Sequence, residues 1–173
     1  MRPDWRWSLP ACAISGIKSP MRAYVISLLA MLALDQGSKW AVVHGMGLKT
    51  RHYIDVVPPW LQFRMGWNEG INFGLLSGQP DAARWILIAV AIVISIWVTL
   101  WARRDGRVGM MIAAGVLVGG ALGNVLDRVV YGAVADFLNM SCCGIANPYV
   151  FNLADVGIFA GAIALVIWGK SSA

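Results

Sequence analysis

Four long apolar stretches, separated by polar ones, organise the chain. The first, about residues 23–43, is clean hydrocarbon-facing sequence in its first half and carries Asp35, Gln36, Ser38 and Lys39 in its second. The next, about 84–102, has no charge between Arg84 and Arg103-Arg104. Its length at 1.5 Å per residue is roughly 27 Å, the thickness of bilayer hydrocarbon. The third, about 108–131, places Gly115, Gly119 and Gly123 at every fourth position, with Gly120 beside them. Small residues at that spacing let a second helix approach closely in lipid. The same segment ends in a polar stripe, Asn124, Asp127, Arg128 and Tyr131, at i, i+3, i+4 and i+7, which must point inward or to the interface. The fourth, about 151–168, opens with Asn152 and Asp155 on one face, where a helix dipole favours an acid.

Between the first two stretches the pattern changes period. Leu61, Phe63, Met65 and Trp67 alternate with Gln62, Arg64 and Gly66, which predicts a short amphipathic strand with its apolar face on the bilayer. A second strand is expected at Tyr53 to Val57, before Pro58-Pro59, and Asn68-Glu69-Gly70 reads as a turn. The outer β region thus covers about residues 51–75. Gly132 to Val150 reads as a loop. Residues 1–20, with three prolines and no apolar period, read as an extension or a misassigned start before Met21, leaving 21–170 as a single domain.

Composition turns these stretches into membrane spans. Hydrophobic residues make up 58% and charged residues only 13%, about half the charge of a soluble chain. The nine tryptophans suit the two membrane interfaces. The net charge of +5 forms no cationic surface, so nucleic acid is not an expected partner. Arg22, the Arg103–Arg107 turn and Lys170 fall on one side of a four-span arrangement, which puts both termini in the cytoplasm. Cys12, Cys142 and Cys143 have no zinc or disulfide spacing, and no metal or cofactor is implied.

In that topology Asp35, Asp127, Asp136 and Asp155 all lie toward the outer half of the membrane, against two nearby bases, Lys39 and Arg128. Acids at the margin of hydrocarbon are costly. Asp35 and Lys39, at i,i+4, form either a mutual ion pair or part of a functional site. Neither histidine-based triads nor zinc motifs are present, so any chemistry must use carboxylates. Two of them sharing a proton can activate water and polarise a carbonyl. A proton-coupled carrier using the acids as a relay competes with this reading, as does a non-catalytic binding protein.

Five blocks then narrow the choice: DQGSKW at Asp35–Trp40, N-x-G…F at Asn68–Phe73, GGALGNVLDR at Gly119–Arg128, VADF at Val134–Phe137 and FNLAD at Phe151–Asp155. In order and spacing they resemble the lipoprotein signal peptidases (type II signal peptidases). The resemblance implies an all-α membrane protein of four transmembrane helices with a small extracytoplasmic β-cradle and a periplasmic loop or helix. It implies an intramembrane aspartic endopeptidase of the bacterial inner membrane, working near the outer leaflet. Its substrates would be diacylglyceryl-modified prolipoproteins, cut before the lipidated cysteine. Asp136 and Asp155 match the catalytic pair. Asp35, Asn68, Gly70, Asn124, Arg128 and Asn152 match supporting positions, and Asp127 and Lys39 structural ones, Asp127 pairing with Arg128 or Lys39. Membrane lipids and globomycin-type inhibitors are the other implied partners, and the chain is expected to act as a monomer. Asn72 departs from the small residue usual there.

Overall fold

The computed structural model describes residues 20–70, 80–141 and 147–170. Helix α1 spans Pro20–Lys39 and continues as a π-helical segment, Trp40–Gly45. A short helix α2 (Leu48–Arg51) leads into strands β1 (Tyr53–Val57) and β2 (Leu61–Asn68). Helices α3 (Pro80–Asp105) and α4 (Val108–Tyr131) follow, then β3 (Val134–Met140) and α5 (Leu153–Lys170). Pro20, inside the stretch read as an extension, is the first helical residue, where its fixed φ and missing N–H cost nothing.

Helix α4 is the centre, with α1, α3 and α5 packed on it. Its glycines explain this. A Cβ on Gly119 would stand 2.5 Å from the backbone oxygen of Leu28 in α1, and one on Gly123 2.5 Å from Asp35 Oδ2. On the adjoining face, a Cβ on Gly120 would stand 2.5 Å from the Ala154 oxygen in α5. Backbones approach along two stripes of α4 because side chains are missing there. The opposite arrangement holds at the periphery. Val93 and Trp97 of α3 and Phe159 and Ile163 of α5 are each more than half exposed. Apolar surface on that scale does not face water in a soluble monomer. Among the described residues, three helical segments are long and apolar enough to cross a bilayer, Pro20–Gly45, Asp81–Asp105 and Val108–Tyr131, whereas α5 is a shorter apolar helix.

The three strands form one antiparallel sheet in the order β1-β2-β3. Its third strand corrects the sequence reading, which left Val134–Met140 in a loop. That segment is buried almost throughout, so its residues show no alternation of apolar and polar positions. The free side of β3 is closed by the chain entering α5, where Leu138 and Phe151 form an antiparallel bridge. Asn139, fully buried, donates to the Asn147 and Tyr149 carbonyls at 2.8 and 2.7 Å and ties residues 147–149 to the strand. Part of the alternating face of β2 packs on the protein's own core, while Trp67 on the same face is exposed. Phe63 and Met65 lie against Val42, Leu48 and Phe137, with the Phe63 and Phe137 rings edge-to-face at 5.8 Å. Asn72 and the three cysteines lie outside the described residues.

Candidate active site

Strand β3 and the first turn of α5 bring Asp136 and Asp155 together. The start of α5 is a reciprocal cap: Asn152 Oδ1 accepts the Asp155 N–H at 3.0 Å, and Asp155 Oδ2 accepts the Asn152 N–H at 3.1 Å. The same Asn152 side chain, wholly buried, donates through Nδ2 to Asp136 Oδ1 at 2.6 Å and to Asn124 Oδ1 at 3.1 Å. Asn124, in turn, donates to Asp155 Oδ1 at 2.9 Å. Asn68, at the end of β2, donates to Asp136 Oδ2 at 3.1 Å. Three asparagine amides therefore hold two carboxylates, and among the described residues neither carboxylate has a cationic partner within 4.0 Å. Burial, followed by the negative charge of Asp155, pushes the Asp136 carboxyl up to about 6, against the opposing hydrogen bonds of Asn68 and Asn152.

The other two aspartates sit differently. Lys39 Nζ lies 2.8 Å from Asp35 Oδ2 and 2.8 Å from Asp127 Oδ2, all three residues being 5% exposed or less. Gln36 Nε2 donates to the same two carboxylates at 3.1 and 3.0 Å. Each acid then pins backbone beside the first pair. Asp35 Oδ1 accepts the Ala154 N–H at 2.9 Å, next to Asp155. Asp127 Oδ2 accepts the Ala135 N–H at 3.2 Å, next to Asp136. Lys39 also donates to Asn124 Oδ1 at 3.3 Å, joining the two clusters. Of the two partners expected for Asp127, Lys39 is the one it has. Asp35 makes the ion pair with Lys39 expected from the i,i+4 spacing, and its bond to the Ala154 N–H places it next to Asp155 in the chain.

Arg128 is half-buried and donates weakly, at 3.4 Å, to the Asn124 carbonyl. Gly70 has φ +113°, and a Cβ there would collide with Leu87, so the chain turns where only glycine fits. Gly66 pairs in register with Asp136, and a Cβ on it would stand 2.5 Å from Val150 Cγ2. Both glycines border a cleft of about 310 Å³ lined also by Asn68, Glu69, Asp136 and Tyr149. Sequence reasoning left out Gln36 and Gly66. Gln36 was visible as a member of the DQGSKW block but was given no role; Gly66 acquires meaning only through strand register.

Buried acids at the edge of an apolar helix bundle, opening to a cleft beside a small sheet, are the arrangement of a membrane enzyme. The chain is similar to a bacterial membrane enzyme solved by the in meso method at 2.3 Å, with a TM-score of 0.70 and 28% identity over 86% of this chain and 87% of that one. A second such structure, at 1.9 Å, gives a TM-score of 0.71 and 27% identity over 83% and 90%. The sequence model of signal peptidase (SPase) II matches residues 27–169. Similar curated proteins are the lipoprotein signal peptidases of Methylorubrum extorquens (40% identical, 84% of each chain) and Rhodopseudomonas palustris (36% identical, 86% of this chain and 92% of that one). The chain belongs to the signal peptidase II family.

Proposed function

We propose that this protease is an aspartic endopeptidase that removes signal peptides from diacylglyceryl-modified prolipoproteins, with Asp136 and Asp155 as its catalytic pair. One observation carries the reading: the two carboxylates are bridged by Asn152, and neutral amides hold them where a purely structural acid would take a cation. The more buried Asp136 keeps the proton of the pair, and Asp155 is the base. Water attacks the scissile carbonyl carbon, its proton passing to Asp155 while Asp136 protonates the carbonyl oxygen. As the C–N bond breaks, Asp155 gives its proton to the leaving nitrogen and a hydroxyl of the diol returns one to Asp136. Both groups end as they began, and no covalent enzyme intermediate forms.

The supporting residues take roles from their contacts. Asn124 and Asn152 orient the carboxylates, while Asn68 and Gly70 shape the cleft in which the peptide backbone lies. Arg128 adds positive charge beside the pair. Asp35, Asp127 and Lys39 hold the two backbone segments that carry the acids. Helix α5, at roughly 27 Å for its length, completes a four-span arrangement in the bacterial inner membrane. Both termini are cytoplasmic and the site faces the outer leaflet, consistent with the basic turn at Arg103–Arg107. Substrates reach it sideways from the bilayer, acyl chains in lipid, and globomycin-type inhibitors compete at the same cleft. The enzyme acts as a monomer.

The test is cleavage of a lipidated prolipoprotein by purified full-length protein. Asp136→Asn and Asp155→Asn each abolish product, a loss on the order of 10²–10⁴-fold or more. Turnover near wild type in either variant would remove the mechanism, and proton flux in proteoliposomes without peptide product would favour a relay carrier instead.

A further inference from the structure

Strand β3 separates two cavities. Successive residues of a strand point to opposite faces, and here Asp136 lines the catalytic cleft while Ala135 lines a second cavity of about 260 Å³. No step of the proposed hydrolysis uses this second space. Its inner wall is polar: Gln36, Lys39 and Asp127. Its outer wall is aromatic: Trp40, Trp67 and Tyr131, with Trp67 and Tyr131 packed at 5.8 Å between ring centroids. His44 completes the exposed rim.

Three features select a ligand. The polar wall carries one carboxylate, Asp127, whose ion-pair partner Lys39 is shared with the buried Asp35 behind it. It also has an open acceptor. Gln36 Nε2 is committed to Asp35, Asp127 and the Gly123 carbonyl, an arrangement that fixes the amide orientation, and its Oε1 accepts no hydrogen bond from any described residue. Finally, the aromatic wall stands at the margin of the bilayer. Trp40 follows the last α-helical turn of α1 and is 69% exposed; Tyr131 is the final residue of α4 and is 55% exposed. Aromatic faces beside a carboxylate whose cation is shared attract an organic cation, and at the interface where Trp and Tyr collect the available cations are lipid headgroups.

We propose that this cavity is a binding site for the ammonium headgroup of a membrane phospholipid. The ammonium sits against the Trp40, Trp67 and Tyr131 rings with Asp127 behind it, and a primary ammonium donates to Gln36 Oε1. The acyl chains stay in the bilayer. An occupant would press on the face of β3 opposite Asp136, so the local lipid would bear on the strand that carries that acid.

The experiment is native mass spectrometry of full-length protein offered an equimolar mixture of phosphatidylethanolamine and phosphatidylglycerol with identical acyl chains. Wild-type protein is expected to retain the ethanolamine lipid with about tenfold preference, and phosphatidylcholine in its place is also preferred over the glycerol lipid. Trp40→Leu and Tyr131→Leu, singly and together, reduce the preference, the double variant to within about twofold of parity. Both side chains are mostly exposed, so these variants retain the fold, which the circular dichroism melt checks. Equal retention of the two lipids by wild-type protein overturns the proposal without reference to any variant. So does a preference that persists undiminished in a folded double variant.

Discussion

Four aspartates stand within one small region, and they divide into two pairs by what neutralises them. Asp35 and Asp127 share Lys39 and Gln36 and accept backbone N–H groups. Among the described residues, Asp136 and Asp155 have only uncharged partners: asparagine side-chain amides and, for Asp155, the Asn152 N–H. The difference is instructive because both pairs sit in the same low-dielectric setting. Removing one partner of a buried ion cluster leaves an uncompensated charge, so the first pair is committed to structure. Amides stabilise a carboxylate without cancelling its charge. They leave the second pair able to exchange protons, which is what acid–base chemistry requires.

The largest stability effect expected from breaking this division is at the lysine. Lys39→Met leaves two buried carboxylates facing each other and is expected to cost roughly 3–5 kcal/mol, read as a lowered unfolding midpoint and loss of activity together. Lys39→Met combined with Asp35→Asn and Asp127→Asn should recover much of that stability. A single Lys39→Met variant as stable as wild type would show that the cluster is not structural.

A smaller effect separates the pairs by pH. The Asp136 carboxyl titrates near 6 in the fold, above its ordinary value of 3.8. Its neutral form is therefore the one the fold favours. Stability from this group is fully present below the ordinary value and is lost as pH rises through about 6. Catalysis that needs the Asp136 proton should decline over the same rise in kcat/KM of the free enzyme. The stability component of this dependence should vanish in Asp136→Asn. A flat activity profile between pH 5 and 8, a window on the order of the expected transition, would contradict the assignment of the proton to Asp136.

The smallest effect is at the rim. Asn68 is exposed and makes one hydrogen bond to Asp136. Asn68→Ala should lower kcat/KM by up to about tenfold, the upper end of what one such hydrogen bond contributes, with little change in the unfolding midpoint.

Much of this division was legible in the residues. The four-residue glycine spacing of α4 identified the faces on which α1 and α5 approach, because in lipid only missing side chains allow such contact. The i,i+4 relation of Asp35 and Lys39 and the i,i+3 relation of Asn152 and Asp155 likewise placed contacts made within one helix. What stayed hidden depended on chain segments far apart in sequence. Strand β3 has no period-two pattern, since it is covered on both faces, and so it resembled a loop. The bond from Ala135 N–H to Asp127 and that from Ala154 N–H to Asp35 involve backbone groups, which carry no residue signature at all. Lys39 was expected to pair with Asp35 and was one of two candidates for Asp127; the packing of α1 on α4 gives it both acids.

The most direct test sets one variant of each pair side by side, Asp136→Asn and Lys39→Met, and records unfolding midpoint and prolipoprotein cleavage on the same preparations. Asp136→Asn should melt within about 1 kcal/mol of wild type, because a neutral amide replaces a carboxyl whose neutral form the fold already favours, and should cleave nothing. Lys39→Met should melt well below both. If Asp136→Asn cleaves substrate, or destabilises the protein as much as Lys39→Met does, the separation of a structural from a catalytic acid pair is wrong.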